Sequence, residues 1–375
     1  MKNANTKSRV SSVSKSRASS VSKLRARLLT SWAAVSVLAA SLLFIGLLTG
    51  CPHNQPSAVD QPPAKPVDPA AILKTDGHGK ITGYKCAKEE LPSHLVIPAK
   101  IGDEEIKEIR SWAFSGCTGL TSVTLTASLT TIGWGAFYGC TGLTSISLPE
   151  NLTGIGSCAF EGCTGLTSIS LPANLSQIGD GAFSGCKGLT SITLPTNLTQ
   201  IGQRAFFNCT GLTSISLPAN LTKIGWDAFY GCTGLTSLTI DSANAKYKTE
   251  GNILYNKEGT FLIFAVRGLT SANILDTVTT IGYSAFSGCT GLTSLDLSAC
   301  TSLTLIGSYA FSGCTGLTSA VFADKNGWKV YDNGSYSGTP TPISSSDLDN
   351  AATAAKYLRE GTYNGGYCNK YWKKQ

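Results

Sequence analysis

Thirteen cysteines, three histidines and long runs of serine and threonine are the residues with chemistry to offer in this 375-residue chain. Eight of the cysteines sit at one recurring place. Each follows an Ala-Phe pair by three residues: Phe114/Cys117, Phe137/Cys140, Phe160/Cys163, Phe183/Cys186, Phe206/Cys209, Phe229/Cys232, Phe286/Cys289 and Phe311/Cys314. The first six are spaced by 23 residues every time, which predicts thiols stacked in register inside a repeating body. Side-by-side parallel Cβ vectors suit the disulfide dihedral poorly, and a thiol buries readily. Buried thiols are therefore expected, and Cys86, Cys158, Cys300 and Cys368, off the ladder, are where a disulfide would form. Zinc needs two close pairs of ligands; the chain has no Cys-x-x-Cys, so no metal site is expected.

Acid–base catalysis has little to work with. His53, His78 and His94 all precede residue 95, away from the repeated surface. Between Ala113 and Ile240 the only charged residues are Glu150, Glu161, Asp180, Lys187, Arg204, Lys223 and Asp227. Paired carboxylates are not evident, and the Gly-Leu-Thr-Ser strings are repeat turns, not a phosphate-cradling loop. No catalytic residue and no cofactor is expected. Asn151, Asn174, Asn197 and Asn220 match a glycosylation sequon but read as repeat corners.

The elements that position these residues form a repeat. A full unit runs Leu143-Thr-Ser-Ile146-Ser-Leu148-Pro149-Glu-Asn-Leu152-Thr-Gly-Ile155-Gly156-Ser-Cys-Ala-Phe160-Glu-Gly-Cys163. Leu143, Ile146 and Leu148 mark a short strand with alternating faces, which Pro149 ends. Leu152 and Ile155 are expected to turn the chain inward, and Gly156 to permit a tight bend. Ala159-Phe160 form a short helical or irregular segment. One unit cannot bury its own apolar face, but stacked units share a continuous core.

The unit Leu-Pro-x-x-Leu-x-x-Ile-Gly-x-x-Ala-Phe-x-x-Cys, repeated over roughly 95–322, resembles the treponemal-type, BspA-like leucine-rich repeats of bacterial surface proteins. The resemblance implies an α/β repeat solenoid with short parallel strands, capped at both ends, and a cell-surface adhesin for host or neighbouring-cell proteins. The solenoid is expected over 72–322. An insertion at 241–273 reads as a β-hairpin of Asn252–Tyr255 and Phe261–Val266, and two extra residues near Ala299-Cys300 widen one turn. Residues 72–112 read as the first, irregular cap. In the tail, 323–375, Asp347–Glu360 reads as a helix with Leu348, Ala351, Ala355 and Leu358 on one face. It is expected to close the end together with Tyr363, Tyr367, Tyr371 and Trp372, or alternatively to serve as a separate partner-binding element.

Residues 1–50 hold eight basic residues, no acid, and an apolar stretch from Trp32 to Thr49, the pattern of an export signal. Leu48-Thr49-Gly50-Cys51 resembles the bacterial lipobox, which makes Cys51 the expected lipid-attachment site. Six prolines over 51–71 then make a stiff tether. Export, a lipid anchor and an outer-membrane or cell-surface location follow as expectations, with an uncleaved membrane helix as the alternative. The net charge of +7 belongs to this end. The remainder carries 22 basic against 23 acidic residues, which argues against nucleic acid as a partner.

What is left is the surface of the sheet. Its outward positions, Ser145, Ser147, Ser168, Ser170, Ser191, Thr193, Ser214 and Ser216, form a weakly charged face. Such rows either solvate a parallel sheet or dock a protein partner; an ice-binding surface is a more remote option. Trp134, Tyr138, Trp226 and Tyr230 are candidate aromatic contacts, or fill gaps between turns. A periplasmic scaffold without a host ligand is the competing function, and an enzyme the least supported class.

Overall fold

The computed structural model describes residues 68–375. Those residues wind into a β-solenoid in which each 23-residue turn lays down two short strands. In the first ladder the Ser-x-Ser segments pair in parallel, Ser122–Thr124 on Ser145–Ser147 and Ser214–Leu217 on Ser237–Ile240, with single bridges Ser147↔Ser170 and Ser170↔Thr193 between. The second ladder lies in the segment expected to be a turn. Thr131–Ile132, Gly154–Ile155, Gln177–Ile178, Gln200–Ile201 and Lys223–Ile224 pair in parallel, so Ile155 and its equivalents are strand residues.

The glycine after each isoleucine is required for a different reason from the one expected. Its neighbours in the stack approach too closely for a side chain. A Cβ on Gly156 would fall 2.7 Å from the Ile132 carbonyl oxygen, and one on Gly179 2.6 Å from the Ser157 nitrogen.

The Ala-Phe segment takes the irregular alternative, a run of tight turns such as Ala136 N–H to Gly133 O and Cys140 N–H to Phe137 O. Helix lies at the two ends of the described residues. Inside, Phe114, Phe137, Phe160, Phe183, Phe206 and Phe229 stack with centroids 5.5–5.6 Å apart. Each is buried, and burial of a ring of this size contributes roughly 2–3 kcal/mol. The ladder thiols are buried beside them, and six, Cys140, Cys163, Cys186, Cys209, Cys232 and Cys314, donate to the phenylalanine carbonyl one turn back, as in Cys163 Sγ to Phe137 O at 3.1 Å. All twelve described cysteines are free, Cys86, Cys158, Cys300 and Cys368 included.

The second residue after that glycine is held in the left-handed region. Gly135 and Gly181 occupy it in two turns, but Cys158, between them, has φ 54°. A side chain costs about 1 kcal/mol there. Cys158→Gly is therefore expected to raise stability by up to about 1 kcal/mol. Gly181→Ala should lower it by a similar amount, since the new Cβ would also sit 3.2 Å from Cys158 Sγ. Urea unfolding of the two variants checks both signs.

The insertion does not leave the solenoid. Tyr247–Glu250, Ile253–Asn256 and Phe261–Ala265 form a three-stranded antiparallel meander, and the last strand joins the second ladder beside Thr280–Ile281. Here the apolar core divides: one cluster runs from Leu73 to Leu238 with Leu254 and Val266, the other from Ile253 to Trp372.

At the carboxyl end, Tyr371–Lys374 lies antiparallel on Leu305–Ile306 and on Trp328–Tyr331. The helix read over Asp347–Glu360 is two helices, Ser345–Asp349 and Ala351–Arg359, broken at Asn350. The Asn350 side chain caps the second by accepting from the Ala352 and Thr353 amides. The break rotates the inward face, so Ala354 replaces Ala351 beside Leu348, Ala355 and Leu358 in the core. Trp372 is buried and Tyr367 packs on Tyr357 at 5.0 Å, but Tyr363 is fully exposed and closes nothing.

Candidate functional site

Two rows of hydroxyls run along the first ladder. Ser145, Ser168, Ser191 and Ser214 form one; Ser147, Ser170, Thr193 and Ser216 form the other; all eight are exposed. The isoleucines between them, Ile146, Ile169, Ile192 and Ile215, are buried, so alternation points every hydroxyl outward. A flanking row of threonines is engaged: Thr144, Thr190 and Thr213 Oγ1 donate to the carbonyls of Thr121, Thr167 and Thr190 one turn back. His94, expected away from this surface, stands on it. It pairs with Ser122 in the ladder, and its Nδ1 meets the Ser122 hydroxyl.

The sequon asparagines are corner residues. Asn151, Asn174, Asn197 and Asn220 each donate Nδ2 to a carbonyl of the preceding turn, at 2.7–3.1 Å. Among the described residues no group of three His, Cys, Asp or Glu is arranged to hold a metal ion. Cys51 and the export segment lie outside the described residues.

The candidate aromatics fall into two groups. Trp134 is 53% exposed and Tyr138 40%, and both pack against Trp112, with centroids 4.9 and 5.5 Å away. Trp112 belongs to the same platform and was missed because it falls in the irregular first unit. Its φ of 65° holds it outward. In the second group Trp226 is 80% exposed. Tyr230 fills a gap between turns, with Phe207 on one face at 5.4 Å and the Arg267 guanidinium on the other at 5.1 Å.

Trp226 borders a cavity of about 610 Å³ whose other wall carries Tyr283, Ser284 and Ser287. Its origin is a shortfall in the inserted turn. Leu262 pairs with Ile281, and the Ala265 amide donates to Ala285 just as the Phe206 amide donates to Ala228. Three residues thus cover, from Leu262 to Ala265, a path that takes five from Ile281 to Phe286. The outer bulge is missing, and Ile263, Phe264 and Arg267 floor the notch it leaves. That short spacing was legible, but only once the register of Leu262 was known.

Electrostatics in the notch are sparse. Arg204 Nε lies 3.6 Å from the Asp227 carboxylate. Arg267 has no carboxylate within ion-pair reach among the described residues. Burial pushes the Tyr283 hydroxyl pKa up, and the nearby Asp227 charge adds to it.

The family description "BspA type leucine rich repeat region" matches in six copies over residues 93–189, 130–253 and 262–347. No curated protein sequence matches the chain. Among solved structures, a leucine-rich cell surface protein of Faecalibacterium prausnitzii is 28% identical, covering 68% of this chain and 74% of its own, with a TM-score of 0.54. The pneumococcal vaccine antigen PcpA is 24% identical over 66% and 67% of the two chains, TM-score 0.58, a likeness of fold. A Treponema pallidum leucine-rich-repeat protein is 36% identical over 42% of this chain and 72% of its own, TM-score 0.41. With the matched segments spanning about two thirds of its length, each built on the same Ile-Gly-x-x-Ala-Phe-x-x-Cys turn, the chain belongs to the BspA-type leucine-rich-repeat family.

Proposed function

We propose that the chain is an exported, Cys51-anchored lipoprotein of the bacterial surface that binds host or neighbouring-cell proteins through its repeats. The observation that carries this reading is the pairing of an uncharged hydroxyl face with exposed aromatic groups. Ser145 to Ser216 offer a long surface with no carboxylate or lysine on it, while Trp134, Tyr138 and Trp226 stand exposed as anchors. The cell-surface relative of F. prausnitzii supports the location, and membership of a repeat family supports binding over catalysis.

Each contact on such a face is weak, so adhesion would draw on area and on many copies per cell. Without ion pairs, binding to matrix or host-cell protein is expected to be nearly unchanged between 50 and 500 mM salt, where exposed charge pairs would be screened. A steep fall would count against this reading. The location is tested by adding protease to intact cells, with a periplasmic protein as the control. Digestion of the solenoid while the control survives is expected. Protection until lysis would favour a periplasmic scaffold without a host ligand.

A further inference from the structure

Between neighbouring turns of the solenoid, three backbone hydrogen bonds join the outer bulges at alternate residues. Arg204, Phe206 and Asn208 donate to the carbonyls of Trp226, Ala228 and Tyr230; Gly181, Phe183 and Gly185 donate to those of Gln203, Ala205 and Phe207. At the notch this ladder stops. The amides of Asp227, Phe229 and Gly231 have no hydrogen-bond partner among the described residues. On the opposite wall, Ala285 accepts from Ala265, but the carbonyls of Tyr283 and Ser287 accept from nothing described. Phe229 and Gly231 are buried, and buried amides are almost always paired.

Among the described residues, unpaired donors line one wall and unpaired acceptors the other, at the same alternate residues through which the regular turns join their outer bulges. A peptide backbone offers both a carbonyl and an amide at every residue, as the outer bulge of a regular turn does, and so can meet the donors of one wall and the acceptors of the other. We propose that the notch binds a short segment of a partner protein, which takes the turn conformation of the missing outer bulge and completes the hydrogen-bond ladder between Asp227–Gly231 and Tyr283–Ser287. As in strand addition, backbone hydrogen bonds would carry the affinity and the walls the specificity. The walls set the side chains the segment carries. Trp226, Ile263 and Phe264 call for an apolar residue. Arg267, with no carboxylate in reach among the described residues, together with the Arg204–Asp227 pair leaves one positive charge in excess, which favours an acidic residue and disfavours lysine or arginine. The proposal rests on the protein-binding reading only for the class of partner; it holds wherever the solenoid is located.

The test uses the full chain and a phage-displayed heptapeptide library as probe, with Trp226→Ala and, at a fully exposed aromatic outside the binding surfaces, Tyr363→Ala as parallel baits. Trp226 is exposed and outside both core clusters, so its replacement leaves the fold intact. The expected result is a set of clones whose capture falls about tenfold or more on the Trp226→Ala bait and is unchanged on Tyr363→Ala. Synthetic copies should slow amide exchange at Asp227, Phe229 and Gly231, and Arg267→Gln should weaken those that carry an acid. Clones indifferent to Trp226, no retained clone, or unchanged exchange at the three amides would overturn the proposal. So would Trp226-dependent binding of a glycan array without any peptide. A solenoid protected from protease on intact cells that still selects Trp226-dependent peptides would sink the surface-adhesin reading and leave this one standing.

Discussion

Raising the pH from 9 to 11 is expected to unfold the solenoid steeply, losing about 7 kcal/mol per pH unit, because its core stores a row of protonated thiols. Burial pushes the pKa of Cys140 and of Cys232 up to about 12, and pushes Cys163, Cys186 and Cys209 up in the same way. An unfolded thiol loses its proton near pH 9. Above that value the unfolded chain binds fewer protons than the folded one, so stability falls as pH rises. The contribution is complete below about pH 9 and is lost progressively toward the folded pKa values. Each thiol adds a slope of about 1.4 kcal/mol per unit, and five act together. Typical domain stabilities of about 5–15 kcal/mol would be exhausted within roughly two units.

Burial also lifts Tyr84 and Tyr255 to about 12 and Cys158 and Cys300 to about 11, in the same direction, so the slope will not vanish without the five ladder thiols. The mutual interaction of Cys289 and Cys314 raises the first and lowers the second, so of the two only Cys289 works in the same direction above pH 9. The clean check is serine. In Cys163→Ser, Cys186→Ser and Cys209→Ser the hydroxyl can still donate to the phenylalanine carbonyl one turn back, yet it does not ionise. Urea unfolding across pH 8–11 should show the slope shrink by about 1.4 kcal/mol per pH unit for each replacement. An unchanged slope in the triple variant would mean that these thiols do not govern alkaline stability.

How far the sequence reveals this molecule depends on the length of the pattern. Ser145-Ile146-Ser147 could be recognised as strand because in–out alternation needs three residues, and the Ala-Phe-x-x-Cys position because it recurs eight times. Gly154–Ile155 could not: two residues do not alternate, and only the neighbouring turn, 23 residues away, makes them a strand. The buried–exposed order of the hydroxyl face was legible throughout. The notch was not, because it arises from a register between Leu262 and Ile281 that no local spacing reports. Asn350 misled for a local reason. An asparagine inside an otherwise helical run can stay in the helix or cap the next one, and here its carbonyl oxygen takes the two free amides of Ala352 and Thr353.

The same interruption should divide the unfolding of the molecule, which Phe183→Ala and Phe286→Ala together can reveal. Phe183 sits in the middle of the six-ring stack, 5.5 Å from both Phe160 and Phe206. Truncating it removes a fully buried ring and leaves a cavity that rigid turns on either side cannot close, a loss of about 3–5 kcal/mol. Phe286 belongs to the other cluster, stacked on Phe311 at 5.0 Å. Between them the ring ladder is bent, Phe264 meeting Phe229 at 5.9 Å and tilted by 39°, and among the described residues the amides of Asp227, Phe229 and Gly231 make no backbone bond to the next turn. In a solenoid each turn is stabilised by its neighbours alone, so a weak interface uncouples the turns on its two sides. Hydrogen exchange in rising denaturant is therefore expected to show Phe183→Ala exposing the amides of the Leu73–Leu238 cluster while those beyond Thr280 remain protected, with Phe286→Ala producing the reverse. If either substitution released both clusters at one denaturant concentration, the inserted meander would have to transmit stability as fully as a regular turn, and the broken ladder would be closed by bonds within the protein.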